Sequence, residues 1–311
     1  ATGFPLSARI AAAEAIAGVI PDDEIHADFI YPRVIDYGVA PAVAQAVAAA
    51  VIKEGMAKRP EAIPADIAER IRRFVYEGQL PVRPKSTKPM NVAEESLDLH
   101  DRFQGLLEIY SKVPVKDEHI LKQFYLVPKA MEPAALIQKD PAEVFALTPR
   151  GNLVGVVSDG TAVLGLGNIG GRAAMPVMEG KAILFHTFAG VEAFPICLVT
   201  QDPDEIIEIV KRLEPTFGGI NLEDISAPRC FYIEQKLREE TDIPIFHDDQ
   251  HGTAVVVLAG IMNACRLTGK KLSELSFTVN GAGASAIAVT KLLMSMGLQD
   301  VILLDSTGAI Y

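Results

Sequence analysis

The chain has 311 residues, 49% hydrophobic and 22% charged, enough for about two domains with a core of ordinary size; this excludes a disordered protein and a disulfide-stapled miniprotein. Its 29 basic against 40 acidic residues leave a net charge of −11, which repels phosphate backbones and argues against nucleic acid as a partner. Uncharged runs fall short of the roughly 20 apolar residues that a membrane helix needs, and the first residues lack a signal-peptide layout. The expectation is a cytoplasmic protein that does not meet a membrane. Cys197, Cys230 and Cys265 have neither a disulfide framework nor metal-ligand spacing and read as reduced thiols.

In chain order, residues 11–17 are nearly pure helix former, with Ile10 and Ile16 on an apolar side. An extended patch at Phe29-Ile30-Tyr31-Pro32 follows, because proline disfavours helix in the residue before it. Val43, Val47 and Val51 recur every four residues and predict a helix. Another helix is expected over 64–76, then a linker rich in Pro, Lys and Ser over 79–89. An amphipathic helix is expected over 95–110. Asp140-Pro141-Ala142-Glu143 offers a capping acid, a proline at the first helical position and a glutamate at the third.

From Asn152 short β-rich runs alternate with helices. Strands are expected over 153–158, 183–185, 195–200, 219–222, 243–246, 276–280 and 301–304. The helix after Thr200 is marked by Asp202-Pro203-Asp204-Glu205 and by the period of Ile206, Ile209, Val210 and Leu213. Further helices are expected from about 227, over 252–267, and up to Gly297. Such alternation predicts an α/β protein with a largely parallel sheet.

Two segments fit the dinucleotide fingerprint: Gly165-Leu166-Gly167-Asn168-Ile169-Gly170 and Gly281-Ala282-Gly283-Ala284-Ser285-Ala286. A bound ribose wants an acid roughly twenty positions on, at the end of the second strand. Asp305 stands 24 positions after Gly281, closing Val301-Ile302-Leu303-Leu304. At the same distance from Gly165 there is no acid. Gly281, Gly283, Ala284, Ser285 and Ala286 are therefore the expected cofactor loop, with the pyrophosphate on the helix N-terminus. Asp305 favours NAD over NADP, since a carboxylate repels a 2′-phosphate. The first motif is either a tight turn beside the substrate or a backbone cradle for a small anion.

Two acid pairs follow short apolar strands: Glu223-Asp224 and Asp248-Asp249. Ligands of open α/β sheets bind outside the carboxyl ends of the strands. Four carboxylates converging there would repel one another unless a cation intervened, and oxygen ligation suits Mg²⁺ or Mn²⁺. The alternative is a pair of solvated helix caps. His247 and His251 have zinc-type spacing, but the neighbouring acids favour a hard ion. His26, His100, His119 and His186 read as structural. Lys181 stands before the strand-like 182–185. It is either solvent-facing or, near a metal, a base with a lowered pKa.

These segments carry a family resemblance. Val157-Ser158-Asp159-Gly160-Thr161-Ala162-Val163-Leu164-Gly165-Leu166-Gly167-Asn168-Ile169-Gly170, Phe217-Gly218-Gly219-Ile220-Asn221-Leu222-Glu223-Asp224-Ile225 and Phe246-His247-Asp248-Asp249-Gln250-His251-Gly252-Thr253-Ala254 resemble signatures of bacterial malic enzymes. The resemblance covers residues 90–311. It implies oxidative decarboxylation of L-malate to pyruvate and CO₂ with NAD(P), of which Asp305 favours NAD, and Mg²⁺ or Mn²⁺. It further implies Glu223, Asp224 and Asp249 as metal ligands, Lys181 as general base, Asp248 as its acidic partner, and a homodimer. The family's tyrosine acid corresponds to Tyr125, in Phe124-Tyr125-Leu126-Val127-Pro128-Lys129-Ala130, where the motif is altered and carries one extra residue. The substrate arginine of larger members is replaced by Thr161-Ala162.

The implied fold class is α/β: a substrate-binding α/β domain plus a Rossmann-type NAD-binding domain, with extra helices. Residues 1–60 resemble the family's C-terminal tail, and Met90 onward reads as a native start, so the tail precedes the head as in a circular permutation. The expected divisions are 1–89, 90–250 and 251–311. Only 31 residues run from Gly281 onward, about one βαβ unit. The nicotinamide half falls outside them, so hydride transfer would need a complementing piece. Malolactic chemistry giving lactate, or a non-catalytic rearranged paralogue acting as an assembly partner, are the alternatives.

Overall fold

A computed structural model describes residues 6–24, 38–57, 60, 63–77, 90–115, 117–125 and 131–310. Contacts divide the chain into two units, Ala1–Glu132 and Pro133–Tyr311. The expected extended patch at Phe29–Pro32 and the linker over 79–89 lie outside the described residues.

The first unit is helical among the described residues. It contains α1 (Leu6–Ala17), α2 (Val39–Lys53), α3 (Ile67–Glu77), α4 (Val92–Phe103) and α5 (Glu118–Phe124). Helix α1 packs on α2, and α2 on α3. Val43, Val47 and Val51 are half-buried, consistent with their four-residue stripe. In α1, however, Ile10 is exposed and Ala8 takes the buried position. Helix α4 starts three residues earlier than expected, because Asn91 and Glu94 close a reciprocal capping box. It ends well before residue 110, because Gln104 and Gly105 both take left-handed backbone, with φ of 57° and 104°.

The second unit opens with the short helices α6 (Glu132–Lys139) and α7 (Val144–Leu147). The Asp140 carboxylate accepts from the Ala142 N–H and caps a single 3₁₀ turn before α7. Then come β1 (Leu153–Ser158), α8 (Gly170–Leu184), β2 (Glu192–Cys197), α9 (Pro203–Leu213), β3 (Gly219–Leu222), α10 (Arg229–Glu240), β4 (Ile245–His247) and α11 (Asp248–Thr268). The four strands form a parallel sheet in the order β2-β1-β3-β4. Every residue of β3 is buried, as expected for a parallel strand covered on both faces. Ile206, Ile207 and Val210 of α9 join Ile233 and Leu237 of α10 and Val157, Ile220 and Leu222 of the sheet in one core. The α9 cap behaves as its sequence suggests: Asp202 accepts from the Asp204 and Glu205 N–H groups at 2.8 and 3.2 Å.

The expected strand over 183–185 is a correction. Those residues end α8 and enter a π-helical turn, Phe185–Ala189, closed by Gly190 at φ 65°. Ala174, Met178 and Ala182 are buried at four-residue spacing, so the helical stripe continues through the short apolar run. Lys181 is therefore a helix residue rather than the start of a strand. Strand β4 ends at His247 because its register with β3 pairs Leu222 with His247, and α11 begins at Asp248 rather than at residue 252.

A second sheet holds β5 (Ser276–Asn280), β6 (Asp300–Asp305) and β7 (Gly308–Ile310), with α12 (Ala284–Ser295) between β5 and β6. Strands β5 and β6 are parallel, and β7 returns antiparallel. Strand β7 was not foreseen from the sequence. Its hairpin is made by Asp305, whose Oδ1 accepts from the Thr307 N–H at 2.7 Å and the Thr307 hydroxyl at 2.6 Å. Among the described residues, no helix is long and apolar enough to cross a membrane.

Candidate active site

Register explains why the two acid pairs meet. Strands β3 and β4 are neighbours and parallel, with Leu222 opposite His247. The next residues on each strand are Glu223-Asp224 and Asp248-Asp249, so both pairs leave the same end of the sheet side by side. Carboxylate oxygens of Glu223, Asp224 and Asp249 lie within 4.8 Å of one another. Helix α8 brings in Lys181, whose Nζ is 3.1 Å from Glu223 Oε1 and hydrogen-bonds to Asp248. Glu223 Oε2 also accepts from Asn221 Nδ2 at 2.7 Å, and the Asp224 N–H donates to Asp249 Oδ2 at 2.9 Å.

The electrostatics follow from burial. Glu223 and Asp224 are 9% and 6% exposed. Loss of solvent, reinforced by Asp249 and opposed by Lys181, raises the Glu223 carboxyl to about 7. Burial and Asp249 raise Asp224 to about 6. Asp249 is raised as well, by burial and by Asp248. Lys181 is shifted by its protein neighbours. Burial disfavours its charge, but Asp248 and Glu223 outweigh burial and hold the ammonium above its ordinary value. A lone lysine cannot neutralise so many converging carboxylates. An all-oxygen donor set of this kind fits a hard divalent cation such as Mg²⁺ or Mn²⁺.

The histidines divide. His247 is fully buried, with its Nδ1 3.7 Å from Asp249 Oδ2, and burial lowers it to about 4, so the ring is neutral. His251 instead pairs with Glu234 Oε1 at 2.6 Å, while Gln250 donates to the other Glu234 oxygen. The zinc-type pair does not converge. His119 and His186 have local partners in Gln123 and Glu192; His26 lies outside the described residues. Cys230 is buried, which pushes its thiol up to about 11.

Tyr125 lies in the first unit, at the C-terminal end of α5, and is 76% exposed. The glycine motif at Gly165–Gly170 is a turn: Gly165, Gly167 and Gly170 all have positive φ, and the Gly167 N–H bonds the Val163 carbonyl at 2.8 Å. At the other motif, Gly281 has φ 100°, its N–H bonds the Leu304 carbonyl, and Gly283 caps α12, which begins with Ala284, Ser285 and Ala286. Asp305 ends β6, and the hydrogen bonds of its turn lower its carboxyl.

Several residues were missed. Asn221 holds Glu223, and Glu234 holds His251; a polar side chain inside a buried strand or helix face was the available signal. Gly252 leaves room for the Asp248 carboxylate, because a Cβ there would sit 2.2 Å from Asp248 Oδ1 and push that side chain aside. Buried Asp159 is paired with Arg229. An arginine in the first turn of a helix opposes the helix dipole, and that misfit was its signal.

Parallel sheet, acid cluster with lysine, and strand–glycine turn–helix together define an α/β protein with a dinucleotide-type fold element and a cation-compatible site. Comparison with known proteins narrows this class. Residues 122–238 match the malic enzyme N-terminal domain, and residues 250–307 match the malic enzyme NAD binding domain. The chain is 57% identical over 222 residues to a bifunctional malic/malolactic enzyme of Bacillus subtilis, covering 71% of this chain and 54% of that protein. It is 54% identical to an NAD-dependent malic enzyme of Geobacillus stearothermophilus, covering 73% and 47%, and 51% identical to an NADP-dependent malic enzyme of Escherichia coli, covering 70% and 29%. The solved NAD-dependent malic enzyme of Thermotoga maritima superposes with a TM-score of 0.67 at 48% identity, covering 71% of this chain and 57% of that one. This chain belongs to the malic enzyme family, and its fold is α/β with a Rossmann-type NAD-binding element. It spans about half the length, or less, of these curated relatives.

Proposed function

We propose that the protein oxidatively decarboxylates L-malate to pyruvate and CO₂, with NAD as hydride acceptor and Mg²⁺ or Mn²⁺ as metal. The convergence of Glu223, Asp224 and Asp249, with Lys181 against Asp248 and Glu223, carries this reading. In it, those three carboxylates hold the ion. When bound, NAD would supply a hydride acceptor and the ion would supply positive charge beside the substrate oxygens. Lys181 would receive the C2 hydroxyl proton on Nζ in its neutral form, which a dication held by Glu223 would favour by repelling the ammonium, and Asp248 keeps Nζ aimed. Tyr125 is the candidate donor of the proton that returns to C3. Gly281, Gly283, Ala284, Ser285 and Ala286 take the pyrophosphate, and Asp305 the ribose, which disfavours a 2′-phosphate.

The test is incubation with L-malate, Mn²⁺ and either NAD or NADP, with pyruvate and reduced nucleotide quantified. Pyruvate formation that Asp249→Ala abolishes supports the proposal. Absence of turnover in the parent chain, together with Mn²⁺ binding unchanged by Asp249→Ala, overturns it. A second reading, malolactic conversion, is favoured by the name of the Bacillus subtilis relative. Lactate in place of pyruvate in the same assay would select it.

A further inference from the structure

Asp224 has an unusual backbone for a non-glycine residue, with φ of 53°. Left-handed backbone is disfavoured for L-residues, although aspartate tolerates it better than most. This conformation turns the chain just after β3 and presents the Asp224 carboxylate to Glu223 and Asp249. Contacts on both sides keep it there. The Asp224 N–H is held by Asp249, and its carbonyl accepts from the Ala162 N–H at 2.9 Å. Two residues on, the Ser226 N–H donates to Thr161 Oγ1 at 3.0 Å. The loop after β1 therefore braces the turn after β3.

That loop is itself fixed by a buried ion pair. Asp159, 1% exposed, accepts from the Thr161 N–H at 3.1 Å and the Thr161 hydroxyl at 2.7 Å. Arg229 bonds the other Asp159 oxygen, Thr161 Oγ1 and the Gln201 carbonyl. Its Nε reaches Ser226 Oγ at 3.1 Å. One guanidinium fork thus joins the ends of β1 and β3 and the start of α10, a task that lysine's point charge cannot reproduce.

We propose that Asp159, Thr161 and Arg229 are positioning residues whose clamp holds Asp224 in its left-handed conformation and so sets the metal affinity of the acid cluster. This rests on the metal assignment made under Proposed function. The test uses Mn²⁺ alone, with binding followed by the paramagnetic resonance of free ion and by calorimetry, on the parent chain, Thr161→Val, Thr161→Ser, Arg229→Lys and Asp249→Ala. Thr161→Val and Arg229→Lys are expected to weaken Mn²⁺ binding by about ten- to a hundredfold, the range for residues that orient metal ligands, while circular dichroism in EDTA is unchanged. Thr161→Ser, which keeps the hydroxyl, stays within about threefold of the parent, less than one decade of the effect expected of an orienting residue. Parent-like binding in folded Thr161→Val and Arg229→Lys, with binding lost in Asp249→Ala, overturns the clamp and leaves the metal site standing. Parent-like binding in Asp249→Ala overturns the metal assignment, and the clamp's role with it. Arg229→Lys carries the test where Thr161→Val fails to fold.

Discussion

Lys181 does not stand alone. Its ammonium is steered by Asp248, and Asp248 occupies its place because position 252 lacks a Cβ. Gly252→Ala should displace the Asp248 carboxylate from Lys181. The expected result is a fall in kcat of about tenfold or more, given how steeply rate depends on the alignment of reacting groups. Stability should change little, because the preference for alanine over glycine inside a helix, about 1 kcal/mol, offsets the loss of the ion pair. Steady-state kinetics and urea midpoints, measured together, check both halves. Asp305 offers a separate test. Asp305→Asn keeps an acceptor for Thr307 but removes the charge that the proposed function places against the ribose. Calorimetric titration should show the preference for NAD over NADP shrinking several-fold. An unchanged ratio would detach Asp305 from cofactor choice.

Helix α9 was legible in outline from its cap and its apolar period, and the cap makes a quantitative claim. Asp202→Ala removes the acceptor for two N–H groups and should lower stability by about 1 kcal/mol, read as a lower urea midpoint at unchanged m-value. Strands β1, β3 and β5 coincide with their expected bounds, because uninterrupted apolar runs bordered by turn residues leave little choice. Where an apolar run was short, pattern misled. Residues 183–185 look like a strand in isolation, but they continue a buried helical stripe that began at Ala174. Strand β7 carries no apolar pattern. It exists because the Asp305 side chain closes a hairpin, and such a turn is visible only once β6 is in place.

At the scale of the whole molecule, the acid cluster links stability to pH and to metal. Glu223 binds its proton more tightly in the folded chain, with its pKa rising from 4.5 to about 7. Its protonation therefore supports the metal-free fold fully below pH 4.5, and that support is lost as pH rises through about 7. His247, lowered to about 4, works in the opposite sense, so the comparison must be between variants. Metal-free Glu223→Gln should match the parent below pH 4.5, gain on it as pH rises, and hold a constant advantage above about pH 8. Urea midpoints in EDTA measure this, and an advantage that shrinks with rising pH would contradict the buried-acid account. Adding Mn²⁺ at pH 8 should reverse the order, since an ion bound only by the folded parent stabilises it by about 2.7 kcal/mol at a hundred times its Kd.

Sequence alone determined the alternation of strand and helix, the two acid pairs and the family. These are properties of adjacent residues, written in spacing and residue type. Tertiary structure alone decided that the two acid pairs form one cluster, because this depends on β3 and β4 pairing in parallel with Leu222 opposite His247. It also decided the partners of Lys181, which are 42 and 67 positions away in the chain, and the clamp joining Asp159 to Arg229. No local pattern encodes such distant meetings; they arise when burial of the apolar faces of β1, β3, α9 and α10 in one core brings the polar ends of those elements together.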